Sequence, residues 1–392
     1  MTARALVYGD IDLNLLDGSA IWLQSVTQAL ARAGCDVTLL LKAQVTTSRL
    51  IAPLLAEPGI RVRSPHKEGL ATTAVQAAAA PALLARLDSE RSYDLLVLRG
   101  REVIAAVARQ HGFDGRLWAY LTQVPQPAPG RARDPAGELA AIATAARYVL
   151  CQTEDLRRFL EQSVPQACGK CVLLPPILAD IPAPRHEMAA ATPLRLIYTG
   201  KFAPRWNTLE MTLLPGLLRD HGVPAELHMV GDKIHDDPAD AGYRPRMRAA
   251  LEQSSVTWHG GQSREDAMRL AASCDIGLSW RHPELDTSLE LSTKVLEFGA
   301  LGLPVILNRT PAHQALLGAD YPLFAATLDD VVTVAVAAAG DTALYRLAAD
   351  RTTGATGDFT MDRAAQRLRR YLAGALPARR AARPAPAEGE AR

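Results

Sequence analysis

The 392-residue sequence has no excess charge of either sign: 43 Lys and Arg stand against 42 Asp and Glu, a formal net charge of +1. Such a balance gives no electrostatic case for a polyanion, so nucleic acid is excluded as an expected partner. Long apolar runs are missing too. No stretch reaches the length of a bilayer crossing, and the first residues run directly into a strand pattern, so neither a transmembrane segment nor a signal peptide is expected. The expected location is cytoplasmic, peripheral to a membrane at most. Cysteine is scarce, with five residues at 35, 151, 168, 171 and 274. An odd, scattered set argues against a disulfide framework and for reduced thiols. Cys168 and Cys171 have redox or zinc spacing, but no second ligand pair accompanies them and the strand that follows is the wrong setting for a redox motif, so a structural pair is expected. The nine histidines show no metal-ligand spacing. His259 and His282, at strand ends of the second half, read as ordinary histidines ahead of base- or sugar-pocket residues. Asp10 and Asp12 are spelt like a metal pair but follow the first strand of the first half, and no bound metal is expected. The first loop also lacks a Gly-x-Gly-x-x-Gly fingerprint, which removes support for a dinucleotide.

What is present is a 48% hydrophobic, 22% charged composition and a length sufficient for two cores. Strand patterns recur near residues 4, 36, 60, 93, 116, 146 and 171, then near 194, 226, 256, 275 and 304, separated by helical or loop sequence. This alternation predicts two α/β halves with mostly parallel sheets. A Pro- and Ala-rich stretch at 178–192 reads as a linker between residues 1–177 and 193–358; a helix is expected over 359–375, and 376–392 has no apolar content and reads as a disordered tail. In open α/β sheets ligands bind beyond the carboxyl ends of strands. That rule singles out Asp10, Asp12, Arg99, Arg101, Thr122 and Gln123 in the first half, with Gly18 and Ser19 at a helix start able to approach phosphate or sugar. The long Pro- and Gly-rich loop from Gln123 is expected to border a second substrate.

Residues 288–307 carry the most information. Ser292 or Thr293 is a good N-cap, Gly302 sits at a C′ position, Pro304 stops the helix, and a buried strand follows. Within that short apolar helix lie Lys294 and Glu297. A buried carboxylate needs hydrogen-bond donors, from a ligand's hydroxyls or from a core arginine. The helix amides and Lys294 make an anion site, and Glu297 one turn deeper could accept the hydroxyls of a ribose.

The pattern Thr-Lys-x-x-Glu-aromatic-x-Ala-x-Gly-x-Pro-Val-Ile from Thr293 resembles the donor-sugar-nucleotide motif of retaining glycosyltransferases of the GT-B, family-4-like group. The resemblance covers nearly the whole chain. It implies two Rossmann-like domains whose parallel sheets face a central cleft, the first taking the acceptor and the second the nucleotide, with the last helix crossing back onto the first domain. It also implies that Gly200 and Lys201, with Arg205 nearby, hold the donor diphosphate together with Ser292, Thr293 and Lys294, and that Gly18 and Ser19 approach the donor. Arg99, Arg101, Thr122 and Gln123 would line the acceptor side.

Members of the family carry two glutamates seven residues apart. If Glu297 is the second, Leu289 holds the first position and Glu290 is one residue off; Glu290 is assigned the sugar-contacting, catalytic role alongside Lys201. Thr122 and Gln123 stand where relatives place a His or Asp, and neither is an effective base. A retaining mechanism in which the leaving phosphate accepts the acceptor's proton tolerates this. The expected function is transfer of a sugar from a nucleotide diphosphosugar, as co-substrate, to a glycan, lipid-linked or small-molecule acceptor, without cofactor or metal. Alternatives are a GT-B epimerase or phosphorylase, and a non-catalytic sugar-nucleotide-binding pseudo-transferase.

Overall fold

The computed structural model describes residues 2–15, 17–67, 69, 74–122, 135–178, 193–237 and 240–375. Gln123 and the loop beyond it, nearly all of the expected linker and the 376–392 tail lie outside the described residues.

Seven parallel strands form the first sheet: β1 (Arg4–Gly9), β2 (Asp36–Leu40), β3 (Ile60–Arg63), β4 (Leu95–Arg99), β5 (Leu117–Leu121), β6 (Ala146–Cys151) and β7 (Cys171–Leu173). Their spatial order is β3-β2-β1-β4-β5-β6-β7. Helices cover both faces, so the central strands are apolar on both sides rather than alternating; every residue of β5, Trp118 and Tyr120 included, is buried. The edge strand β3 is more open, with Arg61 exposed. The second sheet repeats the plan with five parallel strands: β8 (Leu194–Thr199), β9 (Ala225–Val230), β10 (Val256–Trp258), β11 (Ile276–Ser279) and β12 (Val305–Leu307), in the order β10-β9-β8-β11-β12. Strand order reverses between β1 and β4 and again between β8 and β11, and at each reversal the crossover helices diverge to opposite faces and leave a crevice.

The helix after β1, Gly18–Arg32, starts at Asp17, whose carboxylate accepts from the Ser19 and Ala20 amides. Leu23, Val26 and Leu30 recur on its inner face and are buried. The last described helix, Met361–Ala375, sends Leu368 and Leu372 into the same hydrophobic cluster. Hydrogen bonds from Arg369 to the Arg32 carbonyl (2.6 Å) and from the Tyr371 hydroxyl to the Leu173 carbonyl (2.8 Å) fix it there.

Helix Thr293–Ala300, hereafter the site helix, is two turns long and stops at Gly302, whose φ of +75° suits a glycine C′. Its depth is set by a close approach. A Cβ placed on Gly299 would lie 2.4 Å from the Thr352 carbonyl of helix Thr342–Gly354, so the two helices touch backbone to backbone. Gly299→Ala should therefore force them apart and cost about 1–3 kcal/mol by overpacking. Urea unfolding measures this directly, and an unchanged midpoint would show that the helices can separate freely.

Candidate functional site

The carboxyl ends of the two sheets point at each other. Gly18, at the first helix start after β1, would place a Cβ 3.9 Å from the Thr293 hydroxyl at the start of the site helix, so two helix N-termini meet across the gap. Polar contacts join the halves there. Lys233 pairs with Asp17 (3.6 Å), Arg49 pairs with Asp232 (3.3 Å), and Thr153 donates to the Leu289 carbonyl (2.9 Å). A further one is buried: Arg264 pairs with Glu297 at 2.9 Å, each side chain only 6% exposed, while reaching the Ser25 hydroxyl at 3.3 Å and the Ile177 carbonyl at 3.5 Å. The donors that a buried Glu297 requires are thus supplied from within the chain, by a residue 33 positions away.

The site helix begins differently from its sequence pattern. Ser292 occupies the N-cap position but makes no side-chain cap, because its hydroxyl is hydrogen-bonded to that of Ser279 at the end of β11 (2.8 Å). The helix therefore starts without a side-chain cap on its first-turn amides. Lys294, in that first turn, lies across the end of β8. Gly200, at φ +131°, makes room for it: a Cβ there would meet the Lys294 side chain at 3.2 Å. The ammonium stands over the Tyr198 ring at 5.1 Å. Burial holds its pKa down to about 8, with Lys201 and Arg281 pushing in the same direction and Glu297 opposing.

Lys201 follows Gly200, its ammonium 4.0 Å from the Trp206 ring centroid. Desolvation lowers its pKa, and it senses Asp17, Lys233 and Glu290. Arg281, the residue that sequence reading missed, follows β11 on the other side of the same crevice. Its backbone is clamped by Asn308, which accepts from the Arg281 amide and donates to its carbonyl (both 2.8 Å). Its Nε and one Nη are buried without a hydrogen-bond partner among the described residues, and desolvation lowers its pKa. The strand-end rule that selected Arg99 would have found it.

Glu290 sits among these cations: its charge acts on Arg99, Tyr120, Lys201 and Arg281. Leu289 turns the other way, packing against the core of the first half while its carbonyl accepts from Thr153. The one-residue departure from the family spacing thus coincides with the point where this segment docks on the first half.

On the first-half side Arg99, at the end of β4, lies against the Trp22 and Tyr120 rings and donates to the Ser19 hydroxyl (2.9 Å). Thr122 follows β5. Other predicted residues are placed elsewhere: Arg101 pairs with Glu138 (3.0 Å), and Arg205, 65% exposed, turns to Glu284 (3.4 Å). Gln123 lies outside the described residues. Asp10 pairs with Lys42 (2.7 Å) and Asp12 accepts from Asn14. His259 is hydrogen-bonded to His228 (3.0 Å), the His282 ring accepts from the Glu284 amide, and Cys168 is exposed while Cys171 is buried.

No protein-family model matches the chain, and no curated protein matches it by sequence. Solved structures do. Sucrose-phosphate synthase from Thermosynechococcus elongatus aligns at a TM-score of 0.73 and 14% identity, over 96% of this chain and 100% of that one. HepE from Anabaena, solved with UDP and glucose, aligns at 0.68 and 13%, over 95% and 100%. The trehalose-6-phosphate synthase OtsA aligns at 0.68 and 13%, over 96% and 99%. The shared architecture is the GT-B fold, as the sequence resemblance implied.

Breaking the buried pair from one side leaves a charge in a dry place, so Arg264→Met should destabilise the protein by about 3–5 kcal/mol. Adding Glu297→Leu should restore most of that loss. Strictly additive losses in denaturant unfolding would show that the two residues are not energetically coupled.

Proposed function

We propose that this protein is a glycosyltransferase that moves a sugar from a nucleotide diphosphosugar to an acceptor bound against the first sheet. The carrying observation is the convergence of Lys201, Arg281 and Lys294 with an N-terminally uncapped helix at the β8/β11 crevice, where the carboxylate of Glu290 acts on Lys201 and Arg281. Cations and amides fixed before the reaction stabilise charge as it develops on a leaving diphosphate, and preorganised stabilisation of this kind commonly lowers a reaction barrier more than any other single effect. The GT-B neighbours include a structure holding UDP and glucose, which makes UDP-sugars the first donors to assay.

In this reading the diphosphate lies on Lys201, Lys294 and the site-helix amides, and Glu290 faces the transferred sugar. No protein base is required if the leaving phosphate takes the acceptor's proton on the same face, and the product then keeps the donor's anomeric configuration. Charge neutralisation by lysine, arginine and amides also makes transfer independent of a metal ion. Glu297 holds Arg264 and, with it, the wall against which a ribose would rest.

Lys294→Ala should weaken UDP binding by about 1.5–3 kcal/mol, the scale of a hydrogen bond to a charged group. Because the Lys294 pKa is lowered to about 8 from 10.5, the ammonium is nearly complete about a unit below that value, half lost at it, and disappears as pH rises further. UDP affinity should fall along the same limb, and Lys294→Ala should flatten it. Titration calorimetry across pH 6.5–9.5, a range of about three units around the shifted value, would count against the assignment if wild type and variant showed the same slope.

Donor hydrolysis, with water as acceptor, tests the chemistry before the acceptor is known. UDP release from UDP-glucose or another UDP-sugar should persist in excess chelator, and Glu290→Gln should lower the turnover by roughly tenfold or more with UDP affinity nearly unchanged. Activity lost in chelator and restored by Mg²⁺ or Mn²⁺ would replace the metal-independent scheme, and NMR of the transfer product reads the anomeric outcome.

A further inference from the structure

The two helix starts that meet across the crevice are finished differently. The site helix has no side-chain cap, whereas the first helix is closed by Asp17, whose Oδ1 accepts from both the Ser19 amide (2.9 Å) and the Ala20 amide (3.0 Å). The other oxygen takes no part in capping. Oδ2 is turned across the crevice to the second half, 3.6 Å from the Lys233 ammonium. Serine or asparagine would cap this helix about as well as aspartate does. What aspartate adds is a negative charge, and it adds it beside Gly18, where the two helix starts approach to 3.9 Å between a Gly18 Cβ and the Thr293 hydroxyl.

The cations that feel this charge stand on two loops that run side by side. Lys201 follows β8 and Lys233 follows β9; the Phe202 amide donates to the Lys233 carbonyl (2.8 Å), and the His235 amide donates to the Phe202 carbonyl (2.9 Å). Asp17 supports the charge of Lys201 while Lys233 opposes it, and His235 feels all three groups. The Asp17 and Lys233 side chains are 27% and 32% exposed, so their ion pair is partly screened and can give way to a ligand. Lys201 therefore answers to two anions: the Asp17 carboxylate, which the fold supplies, and the diphosphate assigned to it above.

We propose that Asp17 is a specificity-determining residue of the donor site, a fixed carboxylate that competes with the bound diphosphate for Lys201 and thereby favours the nucleotide diphosphosugar over the free nucleoside diphosphate. This rests on the donor reading of the crevice. A diphosphate esterified at both ends carries about two negative charges, and the free nucleoside diphosphate gains about one more as its terminal phosphate ionises with a pKa near 6. Lysines and helix amides alone would hold the product more tightly than the substrate. A carboxylate on the opposite wall acts most strongly against the extra charge, so it speeds release of the product while Lys233 limits the loss of donor affinity.

The test is titration calorimetry on the full chain at about pH 7.5, above the terminal phosphate pKa, with UDP, UDP-glucose, pyrophosphate and uridine as probes. Asp17→Asn keeps the capping oxygen and removes the charge, so thermal unfolding should be nearly unchanged. The substitution should tighten UDP and pyrophosphate about fivefold, the scale of one charge several ångströms away at a partly exposed site. UDP-glucose should gain less and uridine less than about twofold, and the gains should shrink as salt is raised. Lys233→Ala should weaken UDP binding more in the wild-type background than in the Asp17→Asn background. Overturning results are UDP and pyrophosphate bound no more tightly by Asp17→Asn than by wild type, or uridine or UDP-glucose gaining as much as UDP. If pyrophosphate binds and gains while UDP does not bind, the competition stands and the choice of uridine nucleotide is wrong. If neither anion binds either protein, the donor reading falls and this inference falls with it.

Discussion

The ion pair between Arg264 and Glu297 is the interaction on which the cleft depends. One guanidinium binds a carboxylate on the site helix, a hydroxyl on the first helix and a carbonyl at the end of the first half, so three separate stretches of chain are referred to a single buried charge. Neither partner tolerates burial alone, because the desolvation of each is offset only by the other and by well-placed hydrogen bonds. The relative position of the two sheets is specified by this contact in a way that apolar packing, being non-directional, does not provide.

Around that strut the molecule keeps several polar groups underused. Ser292 spends its hydroxyl on Ser279 rather than on capping its own helix, Arg281 has buried nitrogens without partners among the described residues, and Lys294 is held where its charge is disfavoured. Each of these lowers the stability of the unliganded fold. They share one crevice, at the carboxyl ends of β8 and β11, which is where an anionic ligand would compensate all of them together. Destabilising groups concentrated in this way are characteristic of sites preorganised for charge.

Two parallel sheets set the geometry in which this happens. In each, the strand order turns back at its first strand, and the residues just past the strands that flank the reversal project into the gap: Arg99 from one sheet, Lys201 and Arg281 from the other. Thr153 and Leu289 tie the rims together next to Glu290. The one-residue offset of Glu290 from the family spacing, which looks like a defect along the chain, falls beside this docking point, where Leu289 turns into the first half and leaves Glu290 to the cleft.

The sequence by itself determined the elements and their plan. Apolar runs of strand length alternating with helical patterns specify buried parallel strands, and Gly302 and Pro304 end the site helix where they stand, because these signals are local: they act through backbone conformation and burial period within a few residues. It also identified Lys294 and Glu297 as charges in places where charge is costly, whereas Lys201 was marked only by the family resemblance. What only the tertiary structure decided was the partner of each charge. That Arg264 answers Glu297, that Ser279 takes the Ser292 hydroxyl, that Arg205 and Arg101 turn to Glu284 and Glu138 while Arg281 stays in the cleft, all depend on residues far apart in sequence. Side chains long enough to reach several neighbours choose among them by desolvation and geometry across the assembled interface, and no local pattern encodes that choice.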